Sequence, residues 1–348
     1  MTTIAIRADG DSGAEAGLGH VLRSLAYLEE LVRRHPAVRP VFLMRDFPEG
    51  IEKVSREGHA IAQLPTRPSP EDYQNTLDAI RPELVILDTL GSTPELMSAC
   101  RAVARTVITV DDLTPSALDA DTIVNGILWA TAHVTAPPGG AKVYEGVDYL
   151  QLRPQFAAAN RMARAINPEV RELLISTGGA DGRGFAAELA AAAAALPFDC
   201  HVNVMIGPAY KDISALRRVT DTAGRVSFTL VENAANMADY LIRADLAIFT
   251  AGTVMFEAAA CGTPAVVVSS YENQVPQAEW FAARGIFPHL GYVAGHIDQR
   301  RATEALATLA ADFPRRREMS CLGRLAVDGR GLERFVDIVS SALAGPVS

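Results

Sequence analysis

FTAGTVMFEAAACGTPAVVVSSYENQ, residues Phe249–Gln274, reads as strand, helix, strand and polar loop in one short stretch. The runs DLAIFT (Asp245–Thr250) and PAVVVS (Pro264–Ser269) are apolar at consecutive positions, without polar alternation. Strands of that kind are covered on both faces, which points to a parallel sheet with helices on either side. Ala251–Thr253 opens the intervening helix, and Gly262 with Pro264 ends it. Glu257 falls on the second turn, between Phe256 and Ala258–Ala260. A carboxylate among apolar neighbours is costly unless it accepts hydrogen bonds, and a vicinal diol such as that of a ribose offers two donors. The loop then closes on the amides Asn273 and Gln274.

The same rhythm extends in both directions. After Pro168, further strands are expected at RELLIST (171–177), CHVNVMI (200–206) and RVSFTLV (225–231). Before it, they are expected at TIAIRAD (3–9), PVFLMR (40–45), HAIAQL (59–64), ELVILDT (83–89), TVITVDD (106–112) and DTIVN (121–125). Between the first two, Val21, Leu25, Leu28 and Val32 mark one face of a helix. The polar, basic segment RPQFAAANRMARAINPEV (153–170) interrupts the pattern and reads as a connection. The expected architecture is α/β, two doubly wound Rossmann-like domains facing a central cleft. An N-terminal domain spans 1–155, a linker 156–170, and a C-terminal domain 171–348.

The totals exclude several classes. The chain has 348 residues, enough for two cores, and 49% are hydrophobic. The net charge of −9 argues against a nucleic-acid partner. The most apolar stretch, 246–268, is interrupted by Glu257, two glycines and Pro264, so no membrane span is expected. Four scattered cysteines show no metal-ligand spacing. A cytoplasmic protein is therefore expected, without metal, cofactor or obligate protein partner.

Ligands of doubly wound sheets bind at loops following the carboxyl ends of strands. Three such loops carry chemistry here. RADGDSGAEAGLGH (7–20) sets His20 after Gly17 and Gly19 at a helix start. An imidazole there is a candidate general base, and a helix-entry residue held by the backbone is the alternative. LLISTGGADGRG (173–184) exposes Gly178 and Gly179 after a strand, suited to a phosphate, with Asp181 as a helix cap. The third loop is the opening stretch itself. Asp9, Asp88, Asp111 and Asp112 end N-terminal strands and serve either a ligand, His20 or a turn. Arg23 lies one turn beyond His20 and faces an acid or a ligand. Trp129 and His133 are candidates to line the cleft.

The segment GT…E…CGTPAVVV…NQ resembles the nucleotide-binding half of UDP-sugar enzymes of the GT-B fold, such as the lipid-II N-acetylglucosaminyltransferases. Together with GLGHVLRSL, VILDTLG, VDDL, IVNG, LRPQF and STGGAD, it is similar to the UDP-2,4-diacetamido-2,4,6-trideoxy-β-L-altropyranose hydrolases of pseudaminic acid biosynthesis and to related spore-coat polysaccharide proteins. That resemblance implies metal-independent, inverting hydrolysis of a UDP-sugar, with His20 assisting the water. It implies that Glu257 holds the ribose and that Gly178, Gly179, Gly252 and Thr253 surround the diphosphate. Gly19, Arg23, Asp88, Asn273 and Gln274 are the implied substrate contacts. Two departures fall on the sugar side: Leu90 stands where the family often has an aromatic residue, and the first loop is longer. A glycosyltransferase using the same UDP-sugar site is one alternative function, and a catalytically silent UDP-sugar binder is another. The intact GLGH loop argues against the silent binder.

Overall fold

A computed structural model describes residues 1–10, 18–89, 91–112, 114–126, 140–179, 181–207, 209–210, 213–222, 224–232 and 234–344. Leu90, Trp129, His133 and residues 11–17 of the first loop lie outside the described residues.

The chain divides into two compact units, the first made of Met1–Pro154 with Arg330–Ser348, the second of Gln155–Gly329. In the first unit, β1 (Thr2–Ala8), α1 (Gly19–Arg34), β2 (Val38–Arg45), α2 (Pro48–Arg56) and β3 (Ala60–Leu64) form one winding. Next come α3 (Pro70–Ile80), β4 (Leu84–Asp88), α4 (Pro94–Val103), β5 (Thr106–Val110), β6 (Thr122–Asn125) and β7 (Lys142–Glu145). The seven strands are parallel, in the order β3-β2-β1-β4-β5-β6-β7. The winding reverses between β1 and β4, where Ala8 pairs with Asp88. Two apolar layers cover the sheet. Ile4, Ile6, Ile86 and Val110 face Val21, Leu28 and Leu31 of α1, while Val85, Leu87 and Val107 face Tyr73 and Leu77 of α3 and Leu96 and Met97 of α4.

The second unit begins with α5 (Pro154–Arg161), β8 (Glu172–Ser176), α6 (Phe185–Ala194), β9 (His201–Ile206), α7 (Ser214–Thr222) and β10 (Ser227–Glu232). It continues through α8 (Met237–Arg243), β11 (Leu246–Thr250), α9 (Thr253–Cys261), β12 (Ala265–Ser269), α10 (Val275–Ala283), β13 (His289–Tyr292), α11 (Gln299–Ala311) and α12 (Phe313–Ala326). Its six parallel strands run β10-β9-β8-β11-β12-β13, and the reversal falls between β8 and β11. β11 and β12 are buried at every position, as their unalternating sequences require.

The division differs from the boundaries read in the sequence in two places. The expected linker carries α5, whose Phe156, Ala157 and Ala159 are buried. Asn160 and Arg164 tie it down with hydrogen bonds to the carbonyls of Ala260, Arg324, Leu241 and Ala244. The last helix, α13 (Gly331–Ala344), belongs to the first unit. Leu332, Phe335, Val336 and Val339 form one apolar face buried against α1, where the rings of Tyr27 and Phe335 lie 4.7 Å apart. Such a face must cover a core, but its pattern does not say which one.

Candidate active site

In the first unit, chemistry collects at the β1–β4 reversal. Asp88 is the last residue of β4 and is fully buried. His20, in the first turn of α1, places Nδ1 2.6 Å from Asp88 Oδ1. An ionised carboxylate only accepts hydrogen bonds, so Nδ1 carries a proton, and in the neutral imidazole the lone pair is then on Nε2. Arg23 Nη2 also approaches Nδ1, at 3.4 Å. Being itself a donor, it adds nothing to a protonated Nδ1, and the shorter carboxylate contact fixes the tautomer.

Arg23 lies one turn along α1. It donates from Nε to Asp88 Oδ2 at 2.9 Å, from Nη2 to Asp88 Oδ1, and from Nη1 to Asp111 Oδ2. Asp111 follows β5 in a left-handed conformation, φ 51°, and its Oδ1 accepts from Gly126 N at 2.7 Å. Ser24 Oγ donates to Asp88 Oδ2 at 3.3 Å and accepts from the Tyr27 hydroxyl at 3.1 Å. Burial pushes the Asp88 carboxyl up. The Arg23 charge and the hydrogen bonds from His20 and Arg23 outweigh it and hold Asp88 below the usual carboxylate range. Burial likewise opposes the Arg23 charge, and Asp88 with Asp111 overcomes it, so Arg23 stays protonated.

The remaining N-terminal candidates separate by role. Asp112 accepts from Ser92 N, Thr114 N and Thr114 Oγ1 at 2.8–2.9 Å, which makes it a turn residue. Asp9 is enclosed by Arg7 and Arg45. Gly19 is the exposed first residue of α1, with open space where a Cβ would stand. Asp111 joins His20, Arg23 and Asp88 in one network. In the sequence it read no differently from Asp112; its positive φ and its Arg23 contact separate the two in the fold.

In the second unit the candidates gather at the β8–β11 reversal. β8 ends at Ser176, and Gly178 follows with φ 89°, a conformation that favours glycine. Gly178, Gly179 and Gly252 each have open space where a Cβ would stand. Gly252 is the N-cap of α9 and makes no side-chain cap, so the first N–H groups of that helix meet no capping side chain. Asp181 caps α6, accepting from Phe185 N and Ala186 N at 2.9 Å. Thr253 is exposed at the start of α9, and Glu257 is half-buried one turn on. Asn273 is exposed in the loop after β12. Gln274 holds that loop together, its Oε1 accepting from Ser270 N, Ser270 Oγ and Tyr271 N at 2.9–3.2 Å.

One supporting position escaped the sequence reading. A Cβ at Gly207, just past β9, would collide with the Gly179 carbonyl, so the glycine turn packs on a second glycine. Among the described residues, no group of three or more His, Cys, Asp or Glu side chains could hold a metal ion. Nor is any helix among them long and apolar enough to cross a membrane.

No family model matches the chain. It is 28% identical over 343 residues to the spore coat polysaccharide biosynthesis protein SpsG of Bacillus subtilis, covering 97% of both chains. It is 27% identical over 279 residues to the uncharacterised protein MJ1062 of Methanocaldococcus jannaschii, covering 78% of this chain and 56% of that protein. Among solved structures, Acinetobacter baumannii MurG superposes with a TM-score of 0.73 at 15% identity, over 98% of this chain and all of that one. The calicheamicin glycosyltransferase CalG4 gives 0.65 at 17% identity, over the whole of both chains. The UDP-GlcNAc 2-epimerase of Neisseria meningitidis, solved with UDP-GlcNAc bound, gives 0.62 at 10%, over 98% of this chain and all of that one. With two Rossmann-like parallel sheets of seven and six strands and these neighbours, the chain has the GT-B fold.

Proposed function

We propose that this protein is a UDP-sugar hydrolase acting on a UDP-linked 2,4-diacetamido-trideoxy hexose type of substrate, in the synthesis of a nonulosonic, pseudaminic-type acid for a cell-surface polysaccharide. The observation that carries the reading is the His20–Asp88 pair at the topological switch point of the first sheet, which engages Nδ1 and, among the described residues, leaves Nε2 without a hydrogen bond. The SpsG likeness supports a role in polysaccharide synthesis, and the epimerase solved with UDP-GlcNAc supports a UDP-sugar ligand for this fold.

In this reading Nε2 takes a proton from water as the water oxygen bonds to the anomeric carbon. The bond from that carbon to the diphosphate oxygen breaks, and its electron pair leaves with UDP. Attack on the face opposite the leaving group inverts the centre. Asp88 orients the imidazole and stabilises the imidazolium, and Arg23 with Asp111 holds Asp88 in place. Gly178, Gly179, Gly252 and Thr253 receive the diphosphate on backbone N–H groups, and Glu257 accepts from the ribose hydroxyls. Gly19, Asn273 and the free amide nitrogen of Gln274 are assigned to the substrate. The departures at Leu90 and the first loop are where the substituents of this sugar differ from the family's. No metal takes part, and the protein works in the cytoplasm. Liquid chromatography of UDP released from a panel of UDP-2,4-diacetamido sugars, with no acceptor present, tests the assignment. Release without acceptor supports hydrolysis, and release only when an acceptor is added makes the protein a transferase.

A further inference from the structure

The second unit carries a basic cleft of about 620 Å³, between the segment after α5 and α12, that the proposed reaction does not use. Arg164, Arg317 and Arg324 line it, and among the described residues no Asp or Glu does. Arg164 donates only to neutral oxygens, those of Leu241, Ala244, Cys261 and Thr263, and its Nε is buried without a partner. Arg324 donates to the carbonyls of Asn160 and Met162. Arg317 is exposed and lies over the Phe313 ring, 5.8 Å from its centre. The carboxylates nearby are engaged elsewhere: Glu318 pairs with Arg315, and Asp245 accepts from Asn167 Nδ2, Arg171 N and Glu172 N. Burial lowers the Arg164 pKa to about 10, Asp245 opposes this and the Arg324 charge adds to it, so Arg164 is still protonated at neutral pH. Ser320, on α12 between the two other arginines, is 6% exposed, and its hydroxyl has no hydrogen-bond partner among the described residues.

The cleft lies away from the candidate nucleotide loops. Arg164 holds carbonyls just before β11 and β12 begin, whereas Gly178, Gly179 and Gly252 follow the carboxyl ends of β8 and β11. Three guanidinium groups with no carboxylate partner, a spare N–H and a spare hydroxyl suit an anion with several acceptor oxygens, and a phosphate meets guanidinium forks in that way. At roughly 30 Å³ per water, the volume equals about 20 water-sized groups, so an organic part accompanies the phosphate. Ile166, Phe313 and Leu325 offer that part an apolar wall. We propose that this cleft is a binding site for a phosphate monoester, separate from the UDP-sugar site, with Arg317 and Ser320 as phosphate ligands. The same chemistry is found on a free metabolite and on a lipid headgroup.

Cys321 gives the readout, because it is exposed and lines the cleft while the other three cysteines are buried. Its alkylation by iodoacetamide in the full chain is followed by peptide mass spectrometry. sn-Glycerol 3-phosphate is expected to protect Cys321 saturably, and glycerol or sodium chloride at matched ionic strength is not. Arg317→Gln is expected to raise the half-protecting concentration about tenfold, as loss of one charge-assisted hydrogen bond requires. Ser320→Ala breaks no bond in the fold and is expected to raise it by a smaller factor. Vesicles of phosphatidic acid in phosphatidylcholine present the monoester on a lipid. Protection by the soluble ester, with or without the vesicles, assigns the site to a free metabolite; protection by the vesicles alone, weakened in Arg317→Gln, assigns it to a headgroup. Protection by neither overturns the proposal, as does protection unchanged in both variants or matched by glycerol or salt.

Discussion

Asp88→Asn removes one negative charge and changes almost no volume, so its consequences follow from the hydrogen bonds alone. Every bond to the carboxylate has the partner as donor: His20 Nδ1 and Arg23 Nη2 to Oδ1, Arg23 Nε and Ser24 Oγ to Oδ2. An amide must turn its NH₂ group to one side. On the Oδ1 side that group confronts Arg23 Nη2 and drives His20 to the Nε2–H tautomer, which removes the base. On the Oδ2 side it confronts Arg23 Nε, while the Ser24 hydroxyl can turn to accept. Removing one partner of a buried ion pair costs about 3–5 kcal/mol. Asp111 still pairs with Arg23, so the lower end, about 3 kcal/mol, is expected. For a unit of this size that lowers Tm by about 6–12 °C. Turnover is expected to fall about 10³–10⁴-fold from loss of the tautomer. Calorimetric melting, UDP release and the ¹⁵N shifts of the His20 ring read the three effects separately. Folding lowers the Asp88 pKa, so its stabilisation is complete above the unfolded carboxylate value and is lost as pH falls through the folded one. The Tm gap between wild type and variant should therefore persist from neutrality to about pH 4 and close below it. An Asp88→Asn variant with wild-type Tm and turnover would refute the network as described.

Glu257→Ala is expected to weaken UDP binding by about 1.5–3 kcal/mol, read by calorimetry, and unchanged affinity in a folded variant removes Glu257 from the site. Gly207→Ala forces a Cβ into the Gly179 carbonyl. It is expected to cost about 1–3 kcal/mol of stability and to weaken UDP binding with it; an unperturbed Tm would show that the glycine turn has room to move. Turnover is expected to survive EDTA, because helix-start N–H groups receive the diphosphate; loss in EDTA with recovery on magnesium or manganese would contradict this.

The sheets were legible because their central strands are buried on both faces. All eleven apolar runs picked from the sequence form strands. The two missed, β7 and β13, are four-residue edge strands with half-exposed residues, where the apolar signal fades. His20 and Asp88 were both visible as strand-end chemistry 68 residues apart, but their contact was not, because it depends on β1 and β4 being neighbours. Arg23 was equally visible and equally ambiguous until Asp88 and Asp111 were placed around it. Gly207 carried no signal, since close backbone packing leaves no pattern in a single sequence. Gln274 has a second use that the sequence did not show. An amide in a loop suggests a ligand contact, yet its oxygen stitches its own turn.

Turnover in H₂¹⁸O, with no acceptor and mass analysis of the UDP formed, addresses the central claim most directly. Water attack at the anomeric carbon leaves UDP with no ¹⁸O, and His20→Asn should slow its release about 10²–10⁴-fold while UDP affinity is retained. The claim is contradicted by ¹⁸O in the UDP, which places attack at phosphorus, or by His20→Asn releasing UDP at the wild-type rate.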